Sequence, residues 1–277
     1  MALSEEWTLH TGAQTYYTAP LLDRAGVRHL FATRKGGVSK GCFSDWNFAV
    51  GTGSETDSED AVLQNYAIAA EVLGCKGTDV CRTYQTHTAK VIFVGNAERG
   101  TGIDKPKFDF GVDGLVSDTK DLVLSVRAAD CVPILLCDPE RKICAAVHSG
   151  WRGTFAGIVC NAVKEMETHG SDPKNILAAI GPCIGADCYE VGNDLYLAAQ
   201  QSGRGLTPYF RKTTPKNGEE KYLLDLVSIN ENLLLQSGLS ENHITAARIC
   251  THCHPELFFS HRVMGPNRGT MSAFITV

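Results

Sequence analysis

An α+β fold is what this sequence predicts: a single domain in which mixed β-sheets and flanking helices form an α/β layered sandwich. Three observations carry the prediction. Two strongly apolar runs, 131–137 (CVPILLC) and 143–147 (ICAAV), are separated by a turn at Asp138-Pro139-Glu140, which is the pattern of buried strands. Helical stretches and strands alternate, but several strands follow one another with no helix between them. That favours a mixed sheet over a doubly wound parallel one. The 277 residues are 43% hydrophobic and contain no internal repeat, low-complexity tract or Pro/Gly/Ser-rich linker, so one large core over residues 1–277 is expected.

Taken in order, residues 7–17 and 27–33 read as short strands. Between 57 and 74 lies the first clear helix. Asp57 or Ser58 can cap it, acidic residues fill its first turn, Val62, Tyr66, Ala69, Ala70 and Leu73 form one stripe, and Gly74 stops it. Strands are expected at 80–84 and 91–94, then a Lys/Asp/Gly-rich loop at 105–114, with strand character resuming at Leu115-Val116. After the two central runs, Thr154 is placed to cap a second helix whose buried face is Phe155, Ile158, Val159, Ala162, Val163 and Met166, ending at Gly170. A buried strand at 176–180, helices at 193–201 and 226–236, a polar loop at 204–221, a late strand at 246–251 and a final strand at 271–277 complete the reading.

Composition narrows the function. The net charge is −5 with 21% charged residues and no basic run, which disfavours nucleic acid and anionic membranes as partners. The N-terminal MALSEEWTLH has neither a basic nor an apolar segment, so a signal peptide is not expected. With no apolar run of about 18 residues, a cytoplasmic protein is expected. Eleven cysteines in irregular spacing read mainly as buried thiols, with one or two available as ligands.

Reactive side chains sit at strand ends: His87, Asp130 and Cys131, His148, and the cluster Cys250-Thr251-His252-Cys253-His254. A His, a Cys and a His on rigid elements suit a three-ligand zinc site that keeps a fourth position open for water or substrate. A structural Cys and a hydrogen-bonded His are the plainer alternative. The Cys250-x-x-Cys253 spacing resembles half of a structural zinc site whose second half would have to come from Cys183 and Cys188; ordinary thiols at a strand end are the alternative. His148 leads into Ser149-Gly150-Trp151-Arg152-Gly153, a Gly-rich turn before a helix. With Arg152 and the amides around Gly150 and Gly153 it can cradle an anion. Arg34-Lys35-Gly36-Gly37 offers the same chemistry, or a plain hairpin turn.

These residues bring a resemblance with them. The motifs Arg34-x-Gly-Gly-Val-Ser39, Ser44-x-x-Asn47, Gln85-x-His87, Ala129-Asp130-Cys131-x-Pro133, His148-Ser-Gly-Trp-Arg-Gly153, Ile180-Gly-Pro-Cys-Ile-Gly185, Cys188-Tyr-Glu190 and Leu257-Phe-Phe-Ser-His-Arg262 run nearly the whole length of the chain. Together they resemble the YfiH-like laccase-domain, or polyphenol oxidase, family, also called peptidoglycan editing factor in bacteria. The resemblance implies layered sheets and one zinc per chain held by His87, Cys131 and His148. It implies purine nucleoside phosphorylase activity on adenosine, inosine and guanosine with inorganic phosphate, methylthioadenosine phosphorolysis and adenosine deamination. Arg34, Asn47, Gly150 and Gly153 are then expected on the substrate or phosphate, and Asp130, Glu190 and Arg152 in catalysis. The chain departs from many relatives at Ala128, where they carry Thr, and at 50–53.

Other readings stand beside this one. Cys131 with His87 or His148 could be a Cys–His hydrolase, including one that edits peptidoglycan precursors. A non-catalytic, zinc-stabilised partner protein is another. With nine His and one His-x-His pair, oxidase chemistry is expected to be weak, from copper taken up in vitro.

Overall fold

The computed structural model describes residues 6–51 and 53–277. Residues 1–5, part of the stretch to which the signal-peptide expectation applies, and Thr52, within the 50–53 departure, lie outside the described residues. Two six-stranded sheets stack face to face, with helices on their outer faces.

The first sheet has the order β1 (Thr8–His10), β2 (Tyr16–Thr18), β3 (Arg28–Ala32), β15 (Met271–Thr276), β7 (Val123–Ala128) and β4 (Val80–Arg82). All its pairs are antiparallel except β4 with β7. The second has the order β14 (Ile244–Ala246), β10 (Leu177–Ile180), β8 (Val132–Asp138), β9 (Ile143–Ser149), β6 (Gly114–Ser117) and β5 (Val91–Phe93). Its outermost pair at each edge is parallel and the rest antiparallel. A small antiparallel sheet of β11 (Glu190–Gly192), β13 (Lys221–Leu224) and β12 (Phe210–Lys212) lies beside them.

The layering explains why the central runs are apolar throughout. Successive residues of a strand face opposite ways. On β8, Leu135 and Cys137 enter the core between the two large sheets with Leu124 and Ile275, while Ile134 and Leu136 face the helical side. That side is covered by α4 (Ile158–Thr168) and α6 (Leu226–Gln236). The outer face of the first sheet is covered by α2 (Glu59–Val72). There Phe48, Tyr66 and Phe274 meet edge to face at centroid distances of 5.1–5.8 Å, a geometry that adds to their area burial. The shorter helices are α1 (Pro20–Arg24), α3 (Trp151–Ala156), α5 (Asn193–Gln201) and α7 (His261–Met264).

Several expected boundaries hold. Ser58 caps α2, its side chain accepting from the amide of Ala61, and Gly74 ends that helix at φ +70°. Gly170, Gly203 and Gly238 also sit at positive φ beyond helices. Four expectations are corrected. Residues 7–17 form two strands of a hairpin rather than one. Thr154 is not a cap: Gly150 is, and Gly157 at φ +79° splits the expected helix into α3 and α4. The polar stretch 204–221 is not a continuous loop, because β12 forms there as an edge strand on β13. The late strand ends at Ala246 instead of beginning there; residues 247–251 track alongside 180–183 with isolated contacts, Ala247 N donating to Ile180 O at 2.9 Å.

No helix among the described residues is long and apolar enough to cross a membrane.

Candidate metal centre

Three neighbouring strands build the centre. β9 is flanked by β8 on one side and β6 on the other. Val132 pairs with Ser149, so one step further along this antiparallel ladder Cys131 lies opposite Gly150. On the other flank Gly114 pairs with Val147, which sets Asp113 opposite His148, and the His148 amide donates to Asp113 O at 2.8 Å. His87 arrives from the loop joining β4 to β5, in the left-handed conformation at φ +61°. Positive φ is uncommon for a non-glycine residue and requires local support.

Asp113 gives that support. It is fully buried. Its Oδ1 accepts from the His87 amide at 3.1 Å and from His148 Nδ1 at 2.8 Å. Its Oδ2 accepts from the Thr86 and Thr88 amides at 3.1 and 2.9 Å and from Thr88 Oγ1 at 2.9 Å. One carboxylate thus shapes the His87 loop and fixes the His148 ring. With the proton held on Nδ1, His148 presents the Nε2 lone pair to the centre, a common arrangement for a metal-ligating imidazole. Burial alone would raise the Asp113 carboxyl, but the His148 hydrogen bond and charge, with the Thr88 and Thr86 amides, hold it below its ordinary value.

The donor atoms of His87, Cys131 and His148 lie within 4.8 Å of one another. Cys131 Sγ is 4.0 Å from His87 Nε2, and the two imidazole rings stand edge to face with centroids 5.0 Å apart. A tetrahedral zinc would place an N and an S ligand ~3.6 Å apart, so small side-chain movements close the set. His87 is exposed, Cys131 half-buried and His148 buried, which leaves one side open. Gly150 makes the cradle. A Cβ there would sit 2.9 Å from His87 Cδ2 and 3.1 Å from Cys131 Sγ, in the space where the three donors converge. Two imidazoles and a thiol around a gap kept clear by glycine fit a metal ion with one coordination position free.

Electrostatics reinforce the fit. Burial would push the Cys131 thiol up, yet the charge of His148 and hydrogen bonds from both histidines bring it down to about 6. Burial would lower His148, but the Cys131 charge and the Asp113 hydrogen bond raise it to about 9. Without metal, the centre therefore favours a thiolate–imidazolium pair near neutral pH.

The other residues singled out from sequence fall in different places. Asp130, at φ +84°, accepts from Thr251 Oγ1 at 2.6 Å, Ser260 Oγ at 3.1 Å and the Arg262 amide at 2.7 Å. Both oxygens are tied to the 251–262 segment, so its place is a positioning one beside Cys131 rather than that of a free acid or base. Glu190 pairs with Lys216 at 2.9 Å on the small sheet and is not brought to the histidines. Arg34 donates to the carbonyls of Ser44 and Pro255 at 2.9–3.0 Å and lies 4.4 Å above the Phe259 ring. It lines an open cleft of about 550 Å³ with Gly12, Lys35, Asp45 and Glu256; none of the three metal-site residues lines it. Asn47 is fully buried, and its amide donates to Ala49 O and Asp57 and accepts from the Ala49 and Thr270 amides. That engages its whole hydrogen-bonding capacity within the protein. Gly153 packs α3 against the His87 loop, where a Cβ would lie 2.9 Å from Thr88 O. Arg152 is exposed and stacks 4.1 Å over Trp151.

Asp113 was hidden from sequence reasoning inside a loop rich in Lys, Asp and Gly; only the β6–β9 register reveals it. Tyr189 was missed as well. Burial, then the Cys131 charge, push its hydroxyl up to about 12, and the Arg262 guanidinium lies 5.3 Å over its ring.

Comparison with known proteins identifies the family. The family described as multi-copper polyphenol oxidoreductase laccase matches residues 28–277. A Bacteroides thetaiotaomicron protein named purine nucleoside phosphorylase is 30% identical over 255 residues, covering 91% of this chain and 92% of that protein. A protein from an unknown prokaryotic organism, named adenosine deaminase RL5, is 33% identical over 241 residues, covering 86% and 90%. The crystal structure of the Bacillus licheniformis hypothetical protein YfiH superposes with a TM-score of 0.84 at 30% identity, covering 97% of this chain and 98% of that one. The chain belongs to this laccase family, among its YfiH-like members.

Proposed function

We propose that this chain is a zinc-dependent purine nucleoside phosphorylase acting on adenosine, inosine and guanosine, with methylthioadenosine as a further substrate and adenosine deamination as a second activity. The observation that carries the reading is the convergence of His87, Cys131 and His148 on a gap kept clear by Gly150, in a chain whose relatives are named for these activities. His87, Cys131 and His148 would hold the zinc, which when bound supplies a Lewis acid for the charge that develops as the glycosidic bond breaks.

The chain's own residues account for the rest. Asp113 holds the His87 backbone in place, orients the His148 ring and keeps the His148 proton on Nδ1. Phosphate needs positive charge beside the centre. Arg152 and Arg262 both act on Tyr189, and Arg268, held below its ordinary value by burial, is drawn back up by Asp130 and Cys131. Arg34 lines a separate cleft, so the phosphate is assigned to these three arginines rather than to it. Phosphate oxygen forms the bond to ribose C1′ as the C1′–N9 bond breaks and the purine takes the electron pair. Trp151 and Tyr189 offer aromatic surface next to these cations, suited to a purine ring.

The test is direct. Purified protein is assayed for zinc per chain and incubated with adenosine with and without phosphate. Phosphate-dependent release of adenine, abolished in Cys131→Ala, supports the reading. Intact adenosine, or inosine with no adenine, overturns phosphorolysis. The lowered Cys131 thiol beside His148 also favours a second reading, a Cys–His hydrolase. Activity that survives chelation but not thiol alkylation would select it.

A further inference from the structure

A second group of soft donors lies outside the His87–Cys131–His148 centre. Cys188, Cys250 and Cys253 bring their sulfurs within 4.8 Å of one another, and Cys188 and Cys253 Sγ are 3.4 Å apart. We propose that these three thiols form a second zinc site, with its fourth position taken by solvent.

The arrangement is built around metal-like spacing. Cys250 and Cys253 are separated by two residues, the commonest interval between thiolate ligands on one zinc-binding turn. Tetrahedral zinc places two thiolate sulfurs ~3.8 Å apart, within the range seen here. The Gly185 amide donates to Cys250 Sγ at 3.1 Å, a bond that orients the sulfur and stabilises it as an anion. Glycine is what allows that approach, since a Cβ at 185 would lie 3.2 Å from both Cβ and Sγ of Cys250.

The site also has work to do. Residues 181–189 and 247–260 have almost no regular secondary structure. They run side by side through a single bridge between Cys183 and Cys250, with the Thr251 amide donating to Cys183 O at 2.9 Å. An ion across Cys188, Cys250 and Cys253 would staple segments 65 residues apart. Thr251 sits inside the staple and donates to Asp130 at 2.6 Å, next to Cys131. The second ion would thus secure the turn that carries a ligand of the first. Cys183 is a core residue on the helical side of the second sheet, so it is not a ligand in this assignment. Of the two cysteines the sequence offered as a second half, only Cys188 joins the group.

The experiment uses the intact wild-type chain with zinc as the probe. Native mass spectrometry after zinc loading and desalting is expected to show two zinc ions per chain. Cys253→Ser, at an exposed position, is expected to show one. His87→Ala combined with His148→Ala is also expected to show one, and mapping alkylation in both variants locates the ion that remains. In parallel, wild-type protein is alkylated with and without a chelator and the modified peptides are mapped. Cys188, Cys250 and Cys253 should be protected by zinc and released by chelation, while exposed Cys42 reacts in both. The proposal is overturned if Cys253→Ser retains the wild-type zinc content. Equal alkylation of the three cysteines with and without zinc would overturn it too, as would recovery of Cys188 and Cys253 as a disulfide-linked peptide.

Discussion

Replacing Asp113 with Asn removes a charge while keeping the shape, and the hydrogen bonds determine the consequence. The amide has two orientations. With its NH2 at the Oδ2 position it opposes two donors, the Thr86 and Thr88 amides. With its NH2 at the Oδ1 position it opposes only the His87 amide, provided His148 turns its Nδ1 into an acceptor. The second orientation costs less, at ~1–3 kcal/mol for one opposed donor. It also moves the His148 proton to Nε2, where the metal must bind. Loss of an outer partner of this kind weakens metal binding by roughly 10–100-fold, or ~1.4–2.7 kcal/mol. A stability loss near ~2 kcal/mol lowers Tm by about 4–8 °C in a chain of this size. Zinc affinity is measured by competition with a chromophoric chelator near neutral pH, and Tm by calorimetry on the metal-free protein. Asp113→Asn with wild-type zinc affinity and wild-type Tm would refute the role given to this carboxylate.

Three further outcomes are expected. Gly150→Ala should fold, because φ −72° suits any residue. It should lose at least about tenfold in zinc affinity as its Cβ enters the gap; circular dichroism and zinc content check the two halves. In the metal-free protein Cys131 lies below its ordinary value of 9.0, so its contribution to stability disappears as pH falls through about 6. His148 lies above its ordinary 6.5, so its contribution is lost as pH rises through about 9. Metal-free stability should therefore peak between those limits. Iodoacetamide labelling of Cys131 should show a midpoint near 6 that moves up in His148→Ala; a midpoint near 9 in the wild type would contradict the ion pair. Asn230→Ala removes a fully buried side chain that accepts from Ser149 Oγ at 2.9 Å and donates to Leu226 O at 2.8 Å. A loss of ~1–3 kcal/mol is expected, seen as a lower denaturation midpoint with zinc stoichiometry unchanged.

The legibility of the sequence has a physical basis. β8 and β9 were legible because strands buried on both faces are apolar at every position, and Cys131 and His148 stood out as the polar residues where those runs stop. Asp113 was not legible, because its importance lies in the cross-strand register with His148 and its sequence neighbours belong to a polar loop. Thr154 misled because a Thr before an apolar helical stripe is ordinarily a cap. Here the helix had already begun at Trp151, and the Thr154 hydroxyl bonds to Ser149 and Gly150 within it. β12 was hidden by exposed Arg211 and Lys212, which blunt a sheet edge. Arg34 and Asn47 carry motifs that look like ligand chemistry, yet their partners in the fold are main-chain groups and Asp57. Spacing alone cannot tell a side chain aimed at substrate from one that fastens loops together.

The family's oxidase description can be weighed against the same geometry. Four-electron reduction of oxygen by several coppers calls for many imidazoles gathered in one place. Among the described residues, donor groups of three occur as His87 with Cys131 and His148, and as the three thiols of Cys188, Cys250 and Cys253. The first contains two imidazoles and the second none. Other histidines are engaged elsewhere: His29 accepts from the Ala19 amide in the core, His10 bonds Thr18, and His169 stacks on Phe93 at 3.7 Å. What the described residues assemble is a His/Cys/His donor group with an open side and arginines close by. That arrangement suits charge stabilisation during group transfer better than electron storage, so the description of the family and the chemistry of this site need not coincide. If they do coincide, copper-loaded protein will turn over a polyphenol at a rate comparable to phosphorolysis of adenosine by the zinc-loaded form; the expected result is that phosphorolysis is far faster.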